Sequence, residues 1–194
     1  MSTKYIASNW RLPNQENSSK SDNYGLTFDG SELIDCGDSD LLSFGNGSSD
    51  NPFSISAWIN ITGTTSQGIV SKYGSSTSSR EWLFYTTSGK IRLLLWNGST
   101  NNFATGTTVL STNTWHHVVC TYDGRGGSTA YNGINIYVNG LLESVTTSGG
   151  SYTAMSNTSQ PVQIGTHSGG SFLDGSISEV AVFDYALSAT QIST

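Results

Sequence analysis

From Tyr24 onward, apolar and polar residues alternate in short runs broken by Gly, Asn and Asp. Phe53-Ser-Ile55-Ser-Ala57-Trp58-Ile59 has a period of two. Successive side chains of a strand point to opposite faces, so this run predicts a strand with one buried face. The stretches 26–28, 68–73, 82–85, 91–96, 103–110, 115–122, 134–138, 162–164 and 177–183 predict further strands. Turn residues separate them: Asp29-Gly30, Ser88-Gly89, Asp123-Gly124 and Asn139-Gly140. Asn-Gly favours the type I′ turn, which needs positive φ at both central positions. About a dozen short strands with such turns predict an all-β, two-sheet antiparallel sandwich. Only 187–192, opened by Ser188, reads as a helical turn. Residues 1–23 are irregular, with isolated Ile6, Trp10 and Leu12. They read as an N-terminal arm that docks either on its own domain or on a neighbour, and residues 24–194 read as one domain.

Composition narrows the function. Of 194 residues only 11% are charged, below the ~25% usual in globular domains. Ser, Thr, Asn and Gly keep the surface wet instead. The net charge is −6, and the lysines and arginines are scattered. A phosphate backbone demands a basic stripe, so nucleic acid is excluded as a partner. No apolar run approaches the ~20 residues of a membrane span. The first twelve residues lack the apolar segment of a secretory signal, which predicts synthesis in the cytoplasm. Two cysteines, Cys36 and Cys120, do not make a disulfide scaffold.

Four stretches stand in an order that resembles a known family. They are Leu26-Thr-Phe-Asp-Gly30, Phe53–Ile59, Trp115-His-His-Val-Val-Cys-Thr-Tyr-Asp-Gly124 with Ile136-Tyr-Val-Asn-Gly140, and Leu173–Ser188. Together they resemble the laminin G-like branch of the concanavalin A-like lectin/glucanase superfamily. The resemblance implies a jelly-roll sandwich with Trp58, Trp115 and Phe183 as core anchors. It does not imply one function, because this fold carries lectins, adhesion modules, capsid proteins and glycosidases. The composition and the segment Asn9–Asn14 are similar to proteins encoded by marine bacteriophages, which implies a virion surface protein.

The chemistry visible in the residues favours binding over catalysis. Retaining and inverting glycosidases need two carboxylates facing one sugar. The pairs Glu32/Asp35 and Glu179/Asp184 have odd spacing, which points them to opposite faces of a regular strand. No Gly-x-Ser-x-Gly elbow or phosphate-binding loop is present. His116 and His117 occupy successive strand positions and cannot share a metal; His117 reads as a hydrogen-bonded core histidine. Asp35, Asp38 and Asp40 are candidate calcium ligands, since hard oxygen donors cluster there; turn chemistry alone is the other reading. The family often places a calcium-binding Asp in its last strand, where this chain has Ser178.

If Trp82, Phe84, Leu93 and Leu95 face the core, Tyr85, Arg92, Leu94 and Trp96 face the other way. This second face is either covered by loops 97–110 and 147–160 or floors a ligand groove. In the latter case Tyr85, Arg92, Trp96 and Asn97 are the candidate site, with indole as a plate for a pyranose. Two functions follow: a lectin-like module recognising cell-surface glycan as a phage adhesin, or a structural virion protein whose partner is protein.

Overall fold

A computed structural model describes residues 25–193; the arm expected over 1–23 lies outside them. The strands are β1 (Leu26–Asp29), β2 (Ile34–Asp35), β3 (Phe53–Ile61), β4 (Gln67–Tyr73), β5 (Arg80–Thr87), β6 (Lys90–Trp96) and β7 (Asn101–Gly106). They continue as β8 (His116–Tyr122), β9 (Ile134–Val138), β10 (Leu141–Leu142), β11 (Val145–Gly149), β12 (Gln163–Ile164) and β13 (Asp174–Phe183), followed by helix α1 (Ala189–Ser193). Two antiparallel sheets form the expected sandwich. One has six strands ordered β1-β13-β3-β8-β9-β10, the other seven ordered β11-β7-β6-β5-β4-β12-β2.

The period-two pattern decides what lies between them. Phe53, Ile55, Ala57, Ile59 and Ile61 of β3 meet Trp82 and Phe84 of β5 and Ile91, Leu93 and Leu95 of β6 in one buried cluster. Ser88-Gly89 and Asn139-Gly140 turn their hairpins with positive φ at both residues: 50° and 72°, 51° and 78°. At the C-terminus, Ser188 and Gln191 exchange hydrogen bonds as a capping box, the Gln191 N–H donating to Ser188 Oγ and the Ser188 N–H to Gln191 Oε1. The helix so started lays Ile192 on Val119 and Tyr137, on the outer face of the six-stranded sheet.

Two of the three anticipated anchors are placed otherwise, and the third is buried outside the inter-sheet cluster. Val118, Cys120 and Tyr122 of β8 point inward, so parity sends Trp115 outward, where it is half-buried. On β3 the inward set is odd-numbered, so Trp58, although buried, lies on the outer face against His117, ring centroids 5.2 Å apart. In β13 a bulge between Ser178 and Ala181 shifts the register. Ile177 and Val182 both pack toward the core across it, leaving Phe183 half-buried on the other side.

His117 accepts or donates one bond, with Ser56 Oγ at 2.9 Å, while its Nδ1 is buried without a partner. Burial pushes the imidazole down to about 4 from the usual 6.5. The unfolded chain therefore binds a proton here between pH 6.5 and 4 that the folded chain refuses, and stability is lost as pH falls through that window. Between pH 7 and pH 4 the wild type should lose roughly 3 kcal/mol relative to His117→Gln. Urea midpoints of both proteins at the two pH values measure this, and a constant difference would refute it.

Candidate functional site

The outer face of the seven-stranded sheet carries a second apolar group: Tyr73, Leu83, Tyr85 and Leu94, with Trp96 and Phe103 packed against them. The parity expected for the β5–β6 hairpin holds, because β5 and β6 pair from Trp82↔Leu95 to Thr87↔Lys90 without a register shift. Of the two loops weighed as a cover for this face, parts lie in the sheet and in the core. Residues 101–106 form β7 within the sheet, paired to β6, and β11 extends it at the edge. Beyond β11 the chain turns into the core, burying Tyr152 and Met155.

Two arginines are fixed among the aromatic rings. Arg92 donates from Nε to Thr105 Oγ1 at 2.6 Å and from Nη1 to Tyr85 Oη at 3.0 Å, with its guanidinium 4.3 Å from the Phe103 ring centre. Arg80 lies between Tyr73, at 4.7 Å, and Trp96, at 5.2 Å, and donates to the Gly74 and Ser75 carbonyls. The indole N–H of Trp96 donates to Thr77 O at 3.0 Å, which pins the ring against the 74–79 turn.

His167 completes the group, 5.3 Å from Tyr85 and 6.3 Å from Tyr73 between ring centroids. It arrives there because Gly68 has no side chain: a Cβ at this position would lie 2.2 Å from the carbonyl carbon of Thr166. Burial, assisted by the charge of Arg80, pushes the His167 imidazole down to about 4, so it is neutral at pH 7. Glu81 is the one carboxylate in strands β4–β7, and it is fully buried beside Lys72 rather than on this face.

Of the four candidate ligand residues, Tyr85, Arg92 and Trp96 share the face. Asn97 does not join them as a free group. Its Oδ1 accepts the N–H groups of Ser99 and Thr100 and its Nδ2 donates to Ser151 O, so it builds the turn after β6. The residues missed from the sequence are Tyr73, Arg80, Phe103 and His167. A register shift between Lys72 and Tyr73 in the β4–β5 pairing places Tyr73 opposite Arg80, and no local pattern announces such a shift. Phe103 was legible in principle, since it pairs with Leu94 directly.

The three candidate calcium ligands do not converge. Asp38 is held by Lys72 Nζ, Asp35 Oδ1 accepts the N–H of Gly37 at 2.8 Å, and Asp40 accepts from Asn157 Nδ2 at 3.1 Å. Among the described residues no group of three His, Cys, Asp or Glu side chains is arranged to hold a metal ion. The donors are committed to a cation, a turn and a distant amide, so the set does not fit calcium. Both cysteines are free thiols, Cys120 in the core and Cys36 half-buried. No helix among the described residues is long and apolar enough to cross a membrane.

Solved structures similar to this chain share its fold at low identity. The Ruminococcus gnavus IT-sialidase CBM40 bound to α2,3-sialyllactose has 15% identity and a TM-score of 0.66, covering 87% of this chain and 94% of that one. The heptameric SAP-like pentraxin of Limulus polyphemus has 21% identity and a TM-score of 0.51, covering 84% and 79%. Domains LG4-5 of the mouse laminin α1 chain have 14% identity and a TM-score of 0.55, covering 84% of this chain and 44% of that one. No curated protein sequence matches the chain. The sandwich, the hairpin turns and the ordered stretches of sequence agree with a match over residues 36–193, and the chain belongs to the concanavalin A-like lectin/glucanases superfamily.

Proposed function

We propose that this protein is a non-catalytic, lectin-like module that recognises cell-surface glycan on the outer face of the seven-stranded sheet, as the adhesin of a virion surface. The observation that carries the reading is the set of half-buried rings, Trp96 and Phe103, beside two arginines that neighbouring groups hold in place. An apolar plate takes the C–H face of a pyranose, and fixed donors take its hydroxyls. The absence of any carboxylate directed from β4–β7 to this face supports binding without hydrolysis, which needs two. The name of the sialidase module, a carbohydrate-binding domain of similar fold, points the same way.

A glycan array with the full chain tests the reading. Binding to at least one glycan is expected, weakened roughly tenfold or more in Trp96→Ala through loss of ring contact. Tyr85→Phe, which removes the hydroxyl that receives Arg92 Nη1, is expected to weaken it less. Affinity unchanged in both variants would move the site elsewhere. A particle component with a protein partner is the second reading, favoured by Leu141 and Leu142, 72% and 60% exposed on the edge strand β10. Self-association or capture of a particle protein that Leu141→Ser abolishes would favour it over the first.

A further inference from the structure

The geometry points to an acidic glycan as the ligand: a saccharide bearing carboxylate or sulfate groups, held by Arg92 and, along the same face, by Arg80 or Lys90. This inference rests on the reading that the face binds glycan, and adds the charge class of that glycan.

The argument begins with where the cations are. The chain as a whole is acidic, with a net charge of −6. Five lysines and arginines stand among the described residues: Lys72, Arg80, Lys90, Arg92 and Arg125. Lys72 is spent inside the protein on Asp38 and Glu81, and Arg125 pairs with Asp123 at 2.6 Å. The remaining three have no carboxylate partner among the described residues, and all three belong to one face. Lys90 and Arg92 lie two residues apart on β6, with the same parity as Leu94 and Trp96. Arg80 opens the neighbouring strand β5 and lies over Trp96. Diffuse surface charge would scatter these cations among the carboxylates that outnumber them. Here the surplus is gathered on the aromatic face.

The guanidinium groups are also positioned for an anion. Arg92 engages Thr105 and Tyr85 through Nε and Nη1, and Arg80 engages two carbonyls through Nε and Nη2. All four acceptors are neutral, so they orient the charge without cancelling it. Arg80 also meets the Tyr73 hydroxyl, while Nη2 of Arg92 has no acceptor among the described residues. A half-buried guanidinium in that condition gains most from a charged acceptor, and a pre-oriented one loses little freedom on taking it. The surrounding loops, Gly74–Ser79 and Gly165–Ser171, contain hydroxyl groups and glycine but no acid. They suit a polyhydroxylated ligand and do not repel a negative one. Arg80 and Lys90 stand at opposite ends of the β5–β6 hairpin with Arg92 between them, so the face suits separate acidic groups along an oligosaccharide, whereas a nucleic acid backbone needs a longer basic track.

The experiment is a calorimetric titration of the full chain with α2,3-sialyllactose, its methyl ester, lactose, sulfated lactose and galacturonic acid oligomers, at low and high NaCl. At least one acidic probe should bind tenfold or more tighter than its neutral counterpart, the ester or lactose, and the preference should shrink in high salt. Arg92→Gln should collapse that preference, bringing the acid down to the level of the neutral sugar, while Trp96→Ala should weaken both and keep the ratio. A thermal midpoint accompanies each variant; if Arg92→Gln fails to fold, Arg80→Gln and Lys90→Gln, which lie nearer solvent at the ends of their strands, read the same ratio. Preference for the sulfated probe over the carboxylated ones, or the reverse, identifies the acidic group. Equal affinity for acid and neutral sugar overturns the inference and leaves the glycan reading standing. No binding to any sugar, acidic or neutral, overturns both.

Discussion

Trp82→Ala is expected to destabilise the fold by about 4–5 kcal/mol, the upper part of the range for a buried aromatic truncation. Trp82 is fully buried. Its ring packs against Phe44 and Phe53, centroids 6.1 and 6.0 Å away, and those two rings stack on each other at 4.3 Å. Removing the indole leaves a cavity between the sheets that the two stacked rings cannot close by small shifts. It also strands the Leu42 carbonyl, which accepts the indole N–H at 2.9 Å, at a further cost for an unmade buried bond. Trp58→Ala and Trp115→Ala, on the outside of the other sheet, should cost clearly less. Urea unfolding of the three variants ranks them. A Trp82 variant no less stable than the Trp115 variant would show that the inter-sheet cluster is not the centre of stability.

The second large effect is expected at Lys72. This ammonium is fully buried and donates to Asp38, to Thr158 O at 3.1 Å and to Gln160 O at 2.6 Å, with Glu81 at 3.4 Å. Glu81 is itself fully buried, and its Oε2 has no partner. Lys72→Ala leaves a buried carboxylate unpaired and two carbonyls without a donor, which should cost about 3–5 kcal/mol. The loss should depend on pH in a stated direction. Burial already holds the Glu81 carboxyl above its usual range, against the pull of Thr158 and Lys72. Without Lys72 it rises further, so protonation favours the folded variant and stability falls as pH rises through that folded value. The variant should therefore be further below wild type at pH 8 than at pH 5. Lys72→Met combined with Glu81→Gln should recover part of the loss, because it removes both charges. A Lys72→Ala midpoint equal to wild type at both pH values is the result that would sink this account.

The same lysine supplies the cation that Asp38 faces. Asp35, Asp38 and Asp40 are neighbours in sequence, and neighbouring carboxylates invite a cation. The cation that meets Asp38 comes from residue 72, across the fold, and nothing near Asp38 in the chain announces it. Asn97 is placed by local chemistry instead. Asn97-Gly98 carries turn chemistry on its surface, and the Asn97 Oδ1 is taken up by the Ser99 and Thr100 N–H groups of its own turn.

What the sequence determined by itself is what depends on neighbours in the chain. Alternation over β3, β5 and β6 gave the inward and outward sets, because side-chain direction in an unbroken strand follows from pleating alone. Ser88-Gly89, Asn139-Gly140 and Ser188 at the start of the last helical turn were legible for the same reason: each is a contest between a few adjacent backbone groups. The family resemblance rested on four stretches of residues standing in order, beginning at Leu26, Phe53, Trp115 and Leu173. Only the tertiary structure decided the rest. A bulge in β13 turned Phe183 away from the core, and a shift in the β4–β5 pairing brought Tyr73 to face Arg80. Gly68 let the loop after β12 set His167 over Tyr85. Strand pairing, bulge position and the choice of counter-ion compare contacts between residues far apart in sequence. Their energies exist only once the chain has closed those distances, so a pattern read along the chain cannot hold them.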